Sequence, residues 1–340
     1  QNKYSNKTFN ASIKIEASTK SKKELVRTKA VIGDVTGDGK VNIADVGKLS
    51  RTLNDSETYP LNKLEMINAD INADGKVDKV DELLLTKYVK NNNDYPSTLP
   101  NEPITDYVFY GDVNEDGTAN HIDAAMIVSY VNDKLALKSQ QLKNADANAD
   151  GEVNKVDYHL IYGYYHNIFS AQLPDKPITD YILYGDLNND GEITEEDATL
   201  LYNYLDTGIR KSDQALKNSD VNGDGKVNII DLGLLQMYIE SPNNFPDFTE
   251  KNYSLPNRSI SKEYYTIQYG DVNGDGKANM SDVTRIDNYI IKETTLTGQE
   301  ILNADVNGDG KIDDIDREIL YNSIMGNNNC TLPSIAPCTG

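Results

Sequence analysis

Apolar residues recur three or four places apart in short runs along this chain, as in VGKLSRTL from Val46, LGLLQMYI from Leu232 and VTRIDNYI from Val283. Runs with that spacing, two to three turns long, predict amphipathic helices with one buried stripe each. Ahead of each run stands a polar stretch in which Asp, Asn and Gly alternate. The same phrase occurs eight times: GDVTGDGKVNIAD, ADINADGKVDKVD, GDVNEDGTANHID, ADANADGEVNKVD, GDLNNDGEITEED, SDVNGDGKVNIID, GDVNGDGKANMSD and ADVNGDGKIDDID. The chain is therefore a repeat array.

The first Asp of each copy stands at 34, 70, 112, 146, 186, 220, 271 and 305, at intervals of 36, 42, 34, 40, 34, 51 and 34. Short intervals alternate with long ones, which groups the copies into four two-loop modules, at residues 31–92, 104–168, 178–241 and 264–326. A leader of residues 1–30 precedes them and a tail of residues 327–340 follows. The connectors NNNDYPSTLPNEP, NIFSAQLPDKP and SPNNFPDFTEKNYSLPNRS have the Asn, Pro and Ser content of linkers. The tyrosine-rich segments ITDYVFYGD, ITDYILYGD and YYTIQYGD lead into the next module and read as short strands or clasps. In the leader, Phe9, Ala11, Ile13, Ile15 and Ala17 alternate with polar residues, which predicts a strand with one apolar face.

The repeated phrase carries the chemistry. In loop 1, Asp34, Thr36 and Asp38 alternate so that their oxygens turn toward one centre, Gly39 permits a tight turn, Lys40 offers its carbonyl, and Asp45 closes the loop from the start of a helix. This is the donor layout of a twelve-residue calcium loop, with ligands from the first, third, fifth, seventh and twelfth places and the ninth often acting through water. Loop 2 repeats it with Asp70, Asn72, Asp74, Lys76 and Asp81, and loop 3 with Asp112, Asn114, Asp116, Thr118 and Asp123. Loop 4 has Asp146, Asn148, Asp150, Glu152 and Asp157, and loop 5 has Asp186, Asn188, Asp190, Glu192 and Asp197. Loop 6 has Asp220, Asn222, Asp224, Lys226 and Asp231, and loop 7 has Asp271, Asn273, Asp275, Lys277 and Asp282. Loop 8 has Asp305, Asn307, Asp309, Lys311 and Asp316. Oxygen donors without sulfur or imidazole select a hard cation, and two ions per module make about eight Ca2+ in all. The eighth places hold Val41, Val77, Ala119, Val153, Ile193, Val227, Ala278 and Ile312, apolar residues suited to a short strand contact between paired loops.

Charge agrees with this reading. Three aspartates in each of eight loops make 24 of the 54 acidic residues, and eight divalent ions add +16 to a formal charge of −21, leaving −5. Acidity of this order is the wrong sign for nucleic acid or anionic lipid, and no apolar run reaches the ~18 to 20 residues of a membrane span. The chain begins on a polar segment with no hydrophobic export core, and an export signal already removed is expected. Cys330 and Cys338 are the only cysteines, and a disulfide between them suits an extracellular tail. Sequons at Asn6, Asn10, Asn54, Asn252, Asn257 and Asn329 are compatible with a secreted or cell-surface location.

Loops opening on Gly-Asp, a single helix after each, Asp in the closing place, and a duplicate about 34 residues on together resemble the type I dockerin domain. The resemblance implies a mainly α fold: a tandem array of four dockerin-like modules, each with two calcium loop-helix motifs packed antiparallel, joined by extended linkers with short strands. It also implies docking onto cohesin domains in secreted assemblies. The family's cohesin-facing residues lie just before the closing Asp and often repeat in both halves of a module. Here those places hold Ile43-Ala44, Lys79-Val80, His121-Ile122, Lys155-Val156, Glu195-Glu196, Ile229-Ile230, Met280-Ser281 and Asp314-Ile315. No two halves of one module agree, so a symmetric docking mode is not expected.

No catalytic residue is expected. His121, His159 and His166 stand without a partnered nucleophile motif, and Trp, the best sugar-stacking residue, is absent. The expected function is non-catalytic protein–protein association: cohesin-type docking or, alternatively, a self-assembling fibre or surface subunit, a homo-polymer joined through the strand at Phe9 to Ala17 and the modules.

Overall fold

The loop phrases start helices because their last four residues form a cap. In a computed structural model, which describes residues 30–90, 102–209, 211–244, 255–260, 262, 265–327 and 332, the ninth residue of every loop is a helix N-cap. Its side chain accepts a backbone N–H of the first turn, while the closing Asp accepts the N–H of the cap residue. Such a capping box is worth about 1 kcal/mol per helix and also places a carboxylate at the positive end of the helix dipole.

The resulting helices come three to a module. Module 1 has α1 (Ile43–Asn54), α2 (Lys63–Ala69) and α3 (Lys79–Val89), and module 2 has α4 (His121–Val131), α5 (Ser139–Ala145) and α6 (Lys155–Tyr165). Module 3 has α7 (Glu195–Thr207), α8 (Asp213–Asn218) and α9 (Ile229–Glu240), and module 4 has α10 (Met280–Ile290), α11 (Gln299–Ala304) and α12 (Asp314–Ile324). The two helices that follow loops pack together in each module, as α1 on α3, α4 on α6, α7 on α9 and α10 on α12. The short helices α2, α5, α8 and α11 are additions to the single helix per loop that the sequence pattern predicts.

Those short helices explain why first loops open on Gly-Asp and second loops on Ala-Asp or Ser-Asp. A second loop begins at the C-terminal end of its short helix, where Ala69, Ala145 and Ala304 are fully buried. A first loop follows a sharp turn instead. Gly111 there has φ +81°, and a Cβ would lie 3.0 Å from both Ala119 Cβ and Leu173 Cδ1, so only glycine fits.

Among the described residues there is no strand. Two lead-in segments and the residue just past the third connector make single backbone bonds to the second loop of the module they leave, from Ile104 to Ile71, Ile178 to Ala147 and Ile260 to Val221 at 2.8–2.9 Å. One bond apiece holds a clasp but builds no ladder. At the eighth places Val41, Val77, Ala119, Val153, Ile193, Val227 and Ile312 are half-buried against the apolar clusters and Ala278 is exposed, and among the described residues no strand joins the paired loops there. The leader, with the alternating residues Phe9 to Ala17, and both cysteines lie outside the described residues.

The second and third connectors do not run free between modules. Leu173 and Leu255 are buried, Pro174 and Pro256 carbonyls accept Tyr110 and Tyr184 N–H groups at 3.0 and 2.7 Å, and the Tyr164 and Tyr238 hydroxyls donate to the Leu173 and Leu255 carbonyls. Among the described residues, the second and third connectors thus fold back over the module they leave before crossing to the next. Within that strap Asn257 is 2% exposed, which closes its sequon to modification in the folded chain, whereas Asn54 is on the surface.

Modules 1 and 2 each bury their own apolar cluster, but modules 3 and 4 share one that includes Leu201, Leu232, Leu235, Ile286, Ile301 and Leu320. At Gly233 on α9 a Cβ would approach the Gly298 carbonyl oxygen to 3.0 Å, which measures how closely α9 and α11 pack. A cleft of about 1080 Å³ remains between the two modules, bordered by Tyr202, Asp206, Tyr289 and Lys292. The shared core removes the isolation that connector length alone suggests. Asp282→Ala is expected to expose backbone amides of Ile229–Glu240 in module 3 as well as those of module 4, leaving modules 1 and 2 protected. Hydrogen exchange measured by mass spectrometry checks this, and loss confined to residues 265–327 refutes it.

Candidate metal centres

Seven of the eight loops close on the same hydrogen bonds, and loop 7 differs only in that Asp271 Oδ1 is buried without a hydrogen-bond partner. In loop 1, Asp34 Oδ1 accepts Asp38 N–H at 3.0 Å and Asp34 Oδ2 accepts Gly39 N–H at 2.9 Å, while Asp38 Oδ1 accepts Lys40 N–H at 2.9 Å. Gly39 has φ +87°, the left-handed conformation that points its N–H back at the first Asp. The bond from the sixth-place Gly to the first Asp recurs in loops 2 to 8 at 2.8–3.1 Å.

The closing aspartates Asp45, Asp81, Asp123, Asp157, Asp197, Asp231, Asp282 and Asp316 are all 0% exposed. Each Oδ2 accepts the ninth residue's N–H at 2.8–3.0 Å. Each Oδ1 reaches back to a second- or third-place N–H, as from Thr36, Ile71, Asn114, Ala147, Leu187, Asn222, Asn273 and Asn307. The closing side chain thereby caps the helix and ties the loop's two ends together.

Burial pushes the carboxyls of Asp81, Asp112, Asp157, Asp186, Asp231 and Asp316 up to about 7. Burial also raises Asp123, Asp146, Asp197 and Asp305, and neighbouring loop aspartates add to the effect, as Asp197 does at Asp186. Among the described residues no Lys or Arg forms an ion pair with a first-, fifth- or twelfth-place Asp. Buried carboxylates without a cation are costly unless something neutralises them.

Among the described residues, no group of three or more His, Cys, Asp or Glu side chains gathers closely enough to hold a metal by itself. The loop carboxylates are instead spread over backbone N–H groups, and the further oxygens come from Asn or Thr at the third place. Carboxylate, amide, hydroxyl and carbonyl oxygens around a buried, unneutralised Asp fit a hard divalent cation.

Four further residues do structural work at these centres. Asn68, Asn144, Asn218 and Asn303, two places before each second loop, are buried and stitch it to the first loop. Their Nδ2 atoms donate to the carbonyls of Asp34, Asp112, Asp186 and Asp271 at 2.5–2.8 Å, and their Oδ1 atoms accept N–H groups of Val31, Phe109, Leu183 and Gln268. Their backbone carbonyls take the N–H of Gly33, Gly111, Gly185 and Gly270. An Asn repeated before second loops and missing before first loops was the available signal.

The places before the closing Asp divide sharply. Ile43 is 64% exposed, and Ala44, His121, Ile122, Glu195, Glu196, Met280 and Ser281 in the other first loops are exposed too. In loop 8 Asp314 and Ile315 are exposed as well, Ile315 at 41%, but in loops 2, 4 and 6 Val80 and Val156 are buried and Ile229 is 8% exposed. There the next module covers them. A Cβ on Gly117 would lie 2.4 Å from Lys79 Cγ, and one on Gly191 would lie 2.5 Å from the Lys155 backbone carbon, so loops 3 and 5 sit on the first turns of α3 and α6. At the third junction the other half of the downstream module takes this place, with Ile229 N–H donating to the Gly310 carbonyl of loop 8 at 3.3 Å. The longer 51-residue spacing before loop 7 gives module 4 the chain to turn round. Ile229 is thus a junction residue and not part of an open docking face. His159 likewise belongs to a junction, its Nε2 lying 3.0 Å from the Gly191 carbonyl oxygen.

Paired cation loops with short helices, stitched into modules of about 60 residues and stacked in series, define a class of docking arrays. Residues 32–90, 110–164, 184–240 and 269–325 each match the Dockerin type I domain, and the chain belongs to the type I dockerin family. Dockerin domains are non-catalytic modules that bind calcium and dock onto protein partners. A search of curated proteins finds no match. Among the described residues, no helix is long and apolar enough to cross a membrane.

Proposed function

We propose that this chain is a non-catalytic, calcium-stabilised extracellular assembly protein that captures cohesin-type domains. In each loop the first, third, fifth, seventh and twelfth residues supply the ligands, and eight ions are bound. The observation that carries the docking half of the proposal is the exposure of the two places before the closing Asp in every first loop, with Ile43 at 64%, Ile122 at 49% and Met280 at 42%. Exposed apolar residues at the start of a rigid, capped helix suit a partner that covers a helix face. Module 3 carries Glu195 and Glu196 at these places, so its partner surface must differ in charge from that of the other three.

Capture of purified cohesin-type domains by the immobilised chain tests the proposal. Capture is expected in calcium and not in chelator. Joint substitution Ile43→Asp, Ile122→Asp and Met280→Asp is expected to reduce it at least tenfold. Absence of capture across a panel of such domains, or equal capture by the triple variant, defeats the proposal.

A further inference from the structure

Tyr107 and Tyr181 belong to the lead-in segments of modules 2 and 3, yet their rings lie in the apolar clusters of modules 1 and 2, each 8% exposed. Each hydroxyl meets the third-place Asn of the upstream second loop. Tyr107 Oη accepts Asn72 Nδ2–H at 3.1 Å, and Tyr181 Oη accepts Asn148 Nδ2–H at 3.4 Å. Both asparagines are 7% exposed, and their Oδ1 atoms accept the fifth-place N–H of Asp74 and Asp150 at 3.1 and 3.0 Å. An amide has one oxygen end and one nitrogen end. At Asn72 the tyrosine takes the nitrogen end, and at Asn148 it shares that end with Asp150 Oδ2, which lies at 2.8 Å, while the oxygen end stays on the loop backbone in both.

The Tyr181 hydroxyl also bonds to the following module. Tyr181 Oη donates to Asn189 Oδ1, at the fourth place of loop 5, at 3.3 Å. Glu115 fills the corresponding place in loop 3, and its charge acts on the Tyr107 hydroxyl. Beside these contacts, loops 3 and 5 rest on α3 and α6 with no room for a side chain at Gly117 or Gly191. First-loop asparagines have no such tyrosine. Asn114 and Asn188 donate to their own fifth-place Asp116 and Asp190 at 2.9 and 2.7 Å, a bond that Asn148 also makes, to Asp150 at 2.8 Å, in addition to its tyrosine contact.

We infer that Tyr107 and Tyr181 are positioning residues for calcium in loops 2 and 4, and that through them each of these loops is coupled to the first loop of the next module. The sites then communicate across module boundaries, 2 with 3 and 4 with 5. This rests on the calcium reading of the loops. Coupling between two binding sites is reciprocal, so disabling loop 3 must weaken loop 2 by the factor that disabling loop 2 weakens loop 3.

The test is a calcium titration of the full chain followed by NMR at the Gly75 and Gly117 amides, which report loops 2 and 3 separately through their bonds to Asp70 and Asp112. Tyr107→Phe keeps the ring and removes only the hydroxyl. It is expected to raise the calcium concentration that half-saturates Gly75 by about tenfold, the usual cost of losing an outer-shell partner of a metal ligand. Asp116→Asn is expected to shift the Gly75 midpoint in the parent chain and to leave it unmoved in Tyr107→Phe, a signature that mere packing does not produce. Equal Gly75 midpoints in parent and variant, or an undiminished effect of Asp116→Asn, overturn the inference. Should Tyr107→Phe unfold module 1, Tyr181→Phe read at Gly151 carries the same expectations. A parent chain whose Gly75 ignores calcium refutes the calcium reading itself, a result distinguishable from equal midpoints.

Discussion

Stripped of calcium and desalted at about pH 7.5, the chain is expected to lose most of its helical circular dichroism and to regain part of it on acidification to about pH 4.5. The eight closing aspartates, the proposed twelfth-place ligands, are fully buried and also cap the eight long helices. With calcium gone, their charge stays buried next to that of the first-place aspartates. Binding energy is then folding energy, as in other small metal-dependent modules.

The pH response follows from the raised carboxyls. An unfolded Asp ionises near 3.9, whereas Asp81, Asp112, Asp157, Asp186, Asp231 and Asp316 in the metal-free fold ionise at about 7. Below about pH 4 both states are protonated. Between about 4 and 7 the unfolded chain releases protons that the fold retains, so metal-free stability falls as pH rises through that window. Calcium reverses the slope, because protons then compete with the ion. Circular dichroism unchanged by metal removal at neutral pH sinks the prediction, as does a stripped chain that gains helix on going from acid to neutral.

Replacing Asn144 by Ala is expected to cost module 2 about 3 kcal/mol in saturating calcium. The substitution leaves the Phe109 N–H and the Asp112 carbonyl buried without partners, and each such orphan costs roughly 1–3 kcal/mol. Asn144→Asp retains an acceptor but sets a carboxylate against the Asp112 carbonyl oxygen, and is expected to be no better tolerated. The two loops of the module should then open independently, with faster amide exchange at Gly111, whose N–H is held by the Asn144 carbonyl at 2.6 Å. Urea unfolding measures the loss, and an Ala variant within about 0.5 kcal/mol of the parent refutes a stitching role.

The Asp-x-Asn-x-Asp-Gly phrase was legible because its chemistry is local. Alternating oxygens, a left-handed glycine and a closing Asp three residues after an N-cap are set by φ, ψ and side-chain length within thirteen residues. The helices after each loop were legible from their period for the same reason. The short helices α2, α5, α8 and α11 were not, since runs such as KLEMINA and QEILNA are only six or seven residues long and carry too little periodicity to distinguish them from a turn. The connectors misled in the opposite direction. Pro, Asn and Ser describe a linker by composition, but Leu173 and Leu255 are placed by burial against the preceding module, which composition does not encode.

By itself the sequence determined the number of modules, the recurrence of the loop phrase and the capped helix behind each loop, all properties of residues close together along the chain. Tertiary structure decided which faces stay open. Val80, Val156 and Ile229 stand at the same loop places as Ala44, Ile122 and Met280 or their neighbours, yet the first three are buried and the others exposed, because loops 3, 5 and 8 pack onto the second half of the module before them. Tertiary structure also merged modules 3 and 4 into one core. The physical reason is that burial depends on contacts between residues tens of positions apart, which a local repeat writes identically whether the next module covers it or not.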